Sequence, residues 1–140
     1  MRKMFFIFSV ITVIILCACL KYTVHVLSAE TNVAQAVNYQ KITSEEAKQM
    51  MDDGEAFILL DVRTEEEFEI NRIEGAVLIP NYKIKERASA ELPDKDARIL
   101  IYCRSGRRSE QAAKDLITMG YTGIFDFGGI IGWPYETVGE

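Results

Sequence analysis

From residue 39 onward, short apolar runs alternate with stretches of helical periodicity. Residues 56–62 and 99–102 are near-continuously apolar and bounded by charge, the pattern of strands buried on both faces of a parallel sheet. Residues 39–42, 76–79 and 123–127 read as three further strands, the second closed by Pro80. Helices fill the intervals. Thr43 and Glu46 form a capping-box pattern that opens a helix to about Asp53, with Gly54 as its stop. Ala47, Met50 and Met51 would supply its buried face. Thr64 and Glu67 repeat the pattern for a short helix through about Ile70. The acidic run Glu65, Glu66, Glu67 suits a helix N-terminus and reads as a solvated face rather than a metal site. Residues 82–90 are helical in pattern, and Pro93 ends them. Ser109 reads as the N-cap of a last helix that ends at Met119, with Gly120 as its stop. Ala112, Ala113, Leu116 and Ile117 lie on one face of that helix. Gly128-Gly129 turns the chain, and Trp133-Pro134 begins a short tail. Strands alternating with helices predict an α/β fold, a central parallel sheet of about five strands with helices on both faces.

The N-terminus departs from this pattern. Met4 to Leu20 are almost wholly apolar and follow Arg2 and Lys3, as in the n-region and h-region of an export signal. Val26-Leu27-Ser28 offers small residues suited to cleavage after Ser28 or Ala29. Leu16-Cys17-Ala18-Cys19 resembles a lipobox with Cys19 as the lipidated residue, and a retained membrane anchor is the third reading. Residues 1–29 are therefore expected to be a signal peptide, lipoprotein signal or membrane anchor. Residues 30–38 read as a linker and 39–140 as one folded domain. An exported, extracytoplasmic location follows, secreted or tethered to the cytoplasmic membrane.

Charge and rare residues narrow the chemistry. The chain has 16 Lys and Arg against 21 Asp and Glu, a net −5. Without Arg2, Lys3 and Lys21 it becomes −8, since 13 bases then face the same 21 acids. Such a balance argues against nucleic acid as a partner. The only histidine, His25, precedes the domain, so histidine-based zinc sites and Cys–His protease chemistry are excluded within it. No Cys-x-x-Cys occurs, which excludes a thioredoxin-like dithiol. No metal or cofactor is implied. Cys103 is the domain's lone cysteine.

Cys103 falls where a buried strand ends and a helix has not yet begun, the edge at which open α/β sheets bind ligands. Backbone N–H groups of the following loop would point at the sulfur, and Arg104, Arg107 and Arg108 add positive charge. Both effects favour thiolate, the nucleophilic form. Gly106 allows a tight turn and close approach of the backbone to a ligand. Asp61 and Arg63 end another strand, as a pair that holds a loop or touches substrate. A thiolate in such a nest could accept sulfur, phosphate or arsenate.

The sequence Cys103-Arg104-Ser105-Gly106-Arg107-Arg108-Ser109 resembles the active-site loop of rhodanese-type sulfurtransferases. Three other segments agree, in order. Leu60-Asp61-Val62-Arg63 with Glu66-Glu67-Phe68 is similar to the family's Asp-Val-Arg segment. Ile73-Glu74-Gly75-Ala76-Val77-Leu78-Ile79-Pro80 and Gly128-Gly129 with Trp133 are similar to two more. Arg72 stands where the family often has His. The resemblance spans roughly residues 39–138 and implies the three-layer rhodanese-like fold. It also implies a ping-pong cycle through a Cys103 persulfide, from thiosulfate or a similar donor to a thiophilic acceptor, cyanide or a thiol. Arg104, Ser105, Gly106, Arg107, Arg108, Asp61 and Arg63 would bind substrate. The expected partners are a small sulfur donor and acceptor, no nucleic acid, a membrane tether through residues 1–29, and a monomeric state.

Two rivals stand beside this reading. Phosphatase and arsenate reductase loops place an arginine after five residues that follow the cysteine, whereas here Arg108 follows four and Ser109 holds the next position. A sulfur-relay or partner-binding module would carry the same signature as a free-standing catalyst, and turnover with small acceptors separates the two.

Overall fold

The computed structural model describes residues 39–139. Five strands form one parallel sheet: β1 (Gln40–Lys41), β2 (Ile58–Asp61), β3 (Val77–Leu78), β4 (Ile99–Cys103) and β5 (Ile124–Gly129). Their spatial order is β1-β5-β4-β2-β3, so β4 is central and β5 lies between the first strand and the fourth. Four α-helices follow β1 to β4 in turn: α1 (Ser44–Asp52), α2 (Glu65–Ile70), α3 (Ile84–Glu91) and α4 (Arg107–Thr118).

β4 shows why the sheet has two cores. All five of its residues are buried, and side chains alternate between faces. Ile99, Ile101 and Cys103 pack with Ile84, Ala88 and Leu92 from α3 and its end, and with Ala112, Ala113 and Leu116 from α4. Leu100 and Tyr102 face the other way, toward Ala47 of α1, Phe127 and Trp133. The three-layer α/β arrangement expected from the sequence is present.

Both capping boxes form: the Thr43 and Thr64 side chains accept from the Glu46 and Glu67 N–H groups, and each glutamate accepts from the N–H of its threonine. Three boundaries differ from the expectation. The helix read over 82–90 divides into a 3-10 turn, Asn81–Lys83, and α3. β5 continues through Gly128 and Gly129 instead of ending before them. α4 begins at Arg107, because Gly106 takes φ +100° and the chain becomes helical directly after it. Ser109 is thus a buried helical residue, not an N-cap. Arg72, at the position of departure, pairs backbone to backbone with Val138, its N–H donating at 2.6 Å and its carbonyl accepting at 2.8 Å.

The expectations of a signal peptide, a lipoprotein or membrane tether and an exported, extracytoplasmic location are corrected. Among the described residues no helix is long and apolar enough to cross a membrane. The longest, α4, has 12 residues and carries charge along one face, against the roughly 20 apolar residues a span needs. Residues 1–29, on which those expectations rested, lie outside the described residues.

Candidate active site

Cys103 closes the central strand and is 1% exposed. The chain leaves the sheet through Arg104 and Ser105, turns at Gly106 and enters α4. That turn folds the loop back over the thiol, and the Gly106 N–H donates to Sγ at 3.1 Å. Burial acts most strongly on this thiol and pushes its pKa up. It is outweighed by donors facing the sulfur: the Ser109 N–H and hydroxyl, then the Gly106 and Ser105 N–H groups. The net shift is downward, toward thiolate. The Arg108 guanidinium also faces the sulfur.

The loop rests on the end of β5. Cys103 pairs in register with Gly129 across an irregularity that begins at Ile101. Gly129 packs backbone against backbone on the loop: a Cβ there would lie 2.6 Å from Ser105 Cα and collide with the Arg104 carbonyl oxygen. The Ser109 hydroxyl, inside the first turn of α4, lies 3.0 Å from the Gly106 carbonyl and 3.2 Å from that of Gly128. It has one proton for these acceptors and the thiol. Asp126, 4% exposed, accepts from the Gly128 N–H at 3.0 Å, and burial holds its carboxyl above the usual range. Cysteine, loop and glycine shoulder thus form one packed unit.

The arginines divide into two kinds. Arg108 makes a bidentate pair with Glu67 of α2, Nη1–Oε2 2.7 Å and Nη2–Oε1 2.8 Å. That pair lowers the Glu67 carboxyl to about 2. Arg63, 2% exposed, is committed to Asp61 through Nε and Nη2 and to Asn71 through Nη1 and Nη2. Asp61 and Arg63 therefore lie beside the site with every guanidinium nitrogen engaged: Nε on Asp61, and Nη1 and Nη2 holding Asn71 after α2. Arg104 and Arg107, by contrast, are exposed and form no ion pair among the described residues. Ser105 is exposed beside them.

Sequence reasoning found the contiguous loop and the Asp61–Arg63 pair. It placed Glu67 only in a capping box and an acidic surface, and Ser109 only at a helix start. Glu67 meets Arg108 across 41 residues of sequence, and no local pattern encodes that pairing. The Gly-Gly motif was visible as a turn. Its use as a flat support for the loop follows from the parallel register of β4 and β5.

A thiol of depressed pKa at the carboxyl edge of a parallel sheet, ringed by N–H donors and guanidinium groups, defines a nucleophilic anion-handling site. The profile of the rhodanese-like domain matches residues 43–134, and the chain belongs to that family. The chain is 39% identical over 71 residues to thiosulfate sulfurtransferase PspE of Escherichia coli K12, covering 51% of this chain and 68% of that protein. It is 42% identical over 94 residues to a sulfurtransferase of Allochromatium vinosum, covering 66% of this chain and 86% of that one. Among solved structures, an E. coli rhodanese with anions superposes with a TM-score of 0.57 at 35% identity, over 61% of this chain and 100% of the other. A rhodanese-like domain protein of Staphylococcus aureus gives 0.64 at 27% identity, over 72% and 98%. Membership in the family supports a sulfur-transfer role.

Proposed function

We propose that the protein is a sulfurtransferase that carries sulfane sulfur on Cys103, with thiosulfate or a similar anion as donor. The observation that carries this reading is the Cys103 thiol, its pKa lowered by loop donors, where β4 meets the Gly106 turn. The Cys103 thiolate attacks the outer sulfur of thiosulfate. The S–S bond of the donor breaks, its electron pair leaves with sulfite, and a Cys103 persulfide anion forms. Cyanide or a thiolate then attacks the outer sulfur and leaves as thiocyanate or a persulfide, and the Cys103 thiolate is restored. No proton needs to move in either step when both nucleophiles are ionised, so a domain without histidine suffices. The N–H groups of Ser105, Gly106 and Ser109 would stabilise the anionic sulfur. Arg104 and Arg107 draw in the dianion, and Arg108, fixed by Glu67, faces the reacting atoms. Asp61 and Arg63 hold the floor on which these groups stand.

Intact mass spectrometry of the reduced full chain after thiosulfate treatment tests this, with Cys103→Ser alongside. The expected result is a gain of one sulfur that the variant lacks and that cyanide removes. No gain by a folded protein overturns the thiosulfate reading.

A further inference from the structure

A cleft of about 330 Å³ opens beside the Cys103 loop, and Arg63, Glu67, Ile70, Arg104 and Ile131 lie among its lining residues. Ile70 is 70% exposed and Ile131 is 68% exposed. A single exposed isoleucine needs no explanation, but two lining one cleft, which Arg104 directly after Cys103 also lines, form a local apolar contact. They come from distant parts of the chain, the end of α2 and the 3-10 turn Ile130–Gly132 after β5. The Ile131 N–H donates to the Arg104 carbonyl at 3.3 Å, which fixes one rim residue to the loop itself.

Charge in the cleft is nearly balanced. Arg63 is neutralised by Asp61, and Glu67 by Arg108. Arg104 remains, a cation without an ion-pair partner among the described residues, in a chain of net charge −5. The cleft therefore presents one unpaired positive charge and two exposed aliphatic side chains among its lining. Thiosulfate can use the charge but not the aliphatic side chains. The outer sulfur of a persulfide lies only about 2 Å beyond Sγ, and Cys103 is 1% exposed. Cyanide is small enough to reach that sulfur without touching the rim, whereas a thiol carried on a protein brings its own surface against it.

We propose, on the sulfurtransferase reading above, that the cleft docks a protein acceptor whose cysteine is flanked by acidic and aliphatic side chains. Ile70 and Ile131 supply apolar contact and Arg104 the charge complement. The acceptor thiolate attacks the outer sulfur, the Cys103–sulfur bond breaks, and its electron pair returns to Cys103.

The test uses the full chain, loaded with thiosulfate, and three synthetic pentapeptides. One has a central cysteine between two acidic residues, with leucine at each end. The second replaces the acids with lysine, and the third replaces the leucines with serine. Transfer to each is compared with transfer to cyanide, for the native chain, Ile70→Ser and Ile131→Ser, with circular dichroism confirming the fold. We expect the acidic, leucine-ended peptide to be favoured at least fivefold over both others. Each variant should lose at least fivefold toward that peptide and stay within twofold toward cyanide. Arg104→Gln should abolish the preference for acid over lysine. Equal rates for all three peptides, or equal losses toward peptide and cyanide, overturn the docking inference and leave the sulfurtransferase reading intact. Failure to load Cys103 at all overturns both.

Discussion

Two opposing influences meet at the Cys103 sulfur: burial, which favours the thiol, and the donors of Ser109, Gly106 and Ser105, which favour the thiolate and prevail. Ser109 is the one whose side-chain contribution can be removed without touching the backbone. Ser109→Ala should shift the midpoint of Cys103 alkylation by iodoacetamide to higher pH. The rate at neutral pH should fall by about tenfold or more, the scale of one hydrogen bond to a charged group. The sign follows from the state that the hydroxyl stabilises. An unchanged pH profile would show that the hydroxyl's proton stays with the Gly106 and Gly128 carbonyls. At this scale the sequence was informative wherever chemistry is contiguous. Cys103, Gly106 and Arg108 lie within six positions, and the demands of a nest on each are local. Ser109 and Glu67 were legible only as helix-start residues, since both capping patterns are local while their contacts to the sulfur and to Arg108 are made by tertiary packing.

Among the α-helices, α2 is the one that hydrophobic burial does not hold: none of its six residues is buried. Polar ties hold it instead. Arg63 grips Asn71 at its end, Arg108 grips Glu67 within it, and Tyr82 donates to Glu65 at its start. The Asp61–Arg63 pair is the deepest of these supports, with side chains 0% and 3% exposed. Asp61→Asn would leave the Arg63 guanidinium buried without its counter-charge. It should cost about 3–5 kcal/mol, read as a lower urea midpoint at unchanged slope. A loss under 1 kcal/mol would mean that Arg63 swings out to solvent. The strong hydrophobic runs of β2 and β4 made those strands legible, whereas β1 and β3 have two residues each. Their limits depend on how far the neighbouring strand extends, which the sequence of an edge strand does not record.

For the whole molecule, the Glu67–Arg108 pair links α2 to α4 and makes stability depend on acid. The Glu67 carboxyl falls from an ordinary 4.5 to about 2 on folding. A depressed carboxylate contributes its full stability above pH 4.5, and that contribution is lost as pH falls from 4.5 to about 2. Glu67→Gln should therefore lower stability by about 1–2 kcal/mol at pH 7, a partly exposed pair being worth less than a buried one. It should also flatten the acid limb of the unfolding free energy measured over that window. An acid limb identical to the native chain's would assign the pair no part in the linkage.

The strand order has a consequence for how the protein is made. β5, the latest in sequence of the described strands, inserts between β1 and β4 and brings the Gly128–Gly129 shoulder under the Cys103 loop. A nascent chain that has emerged only as far as α4 holds the reactive cysteine, yet lacks the wall that shapes its surroundings. The thiol becomes a tuned nucleophile only once β5 has emerged and paired with β4. During the preceding seconds one side of β4 is an open edge, the period in which a growing chain is most exposed to mispairing.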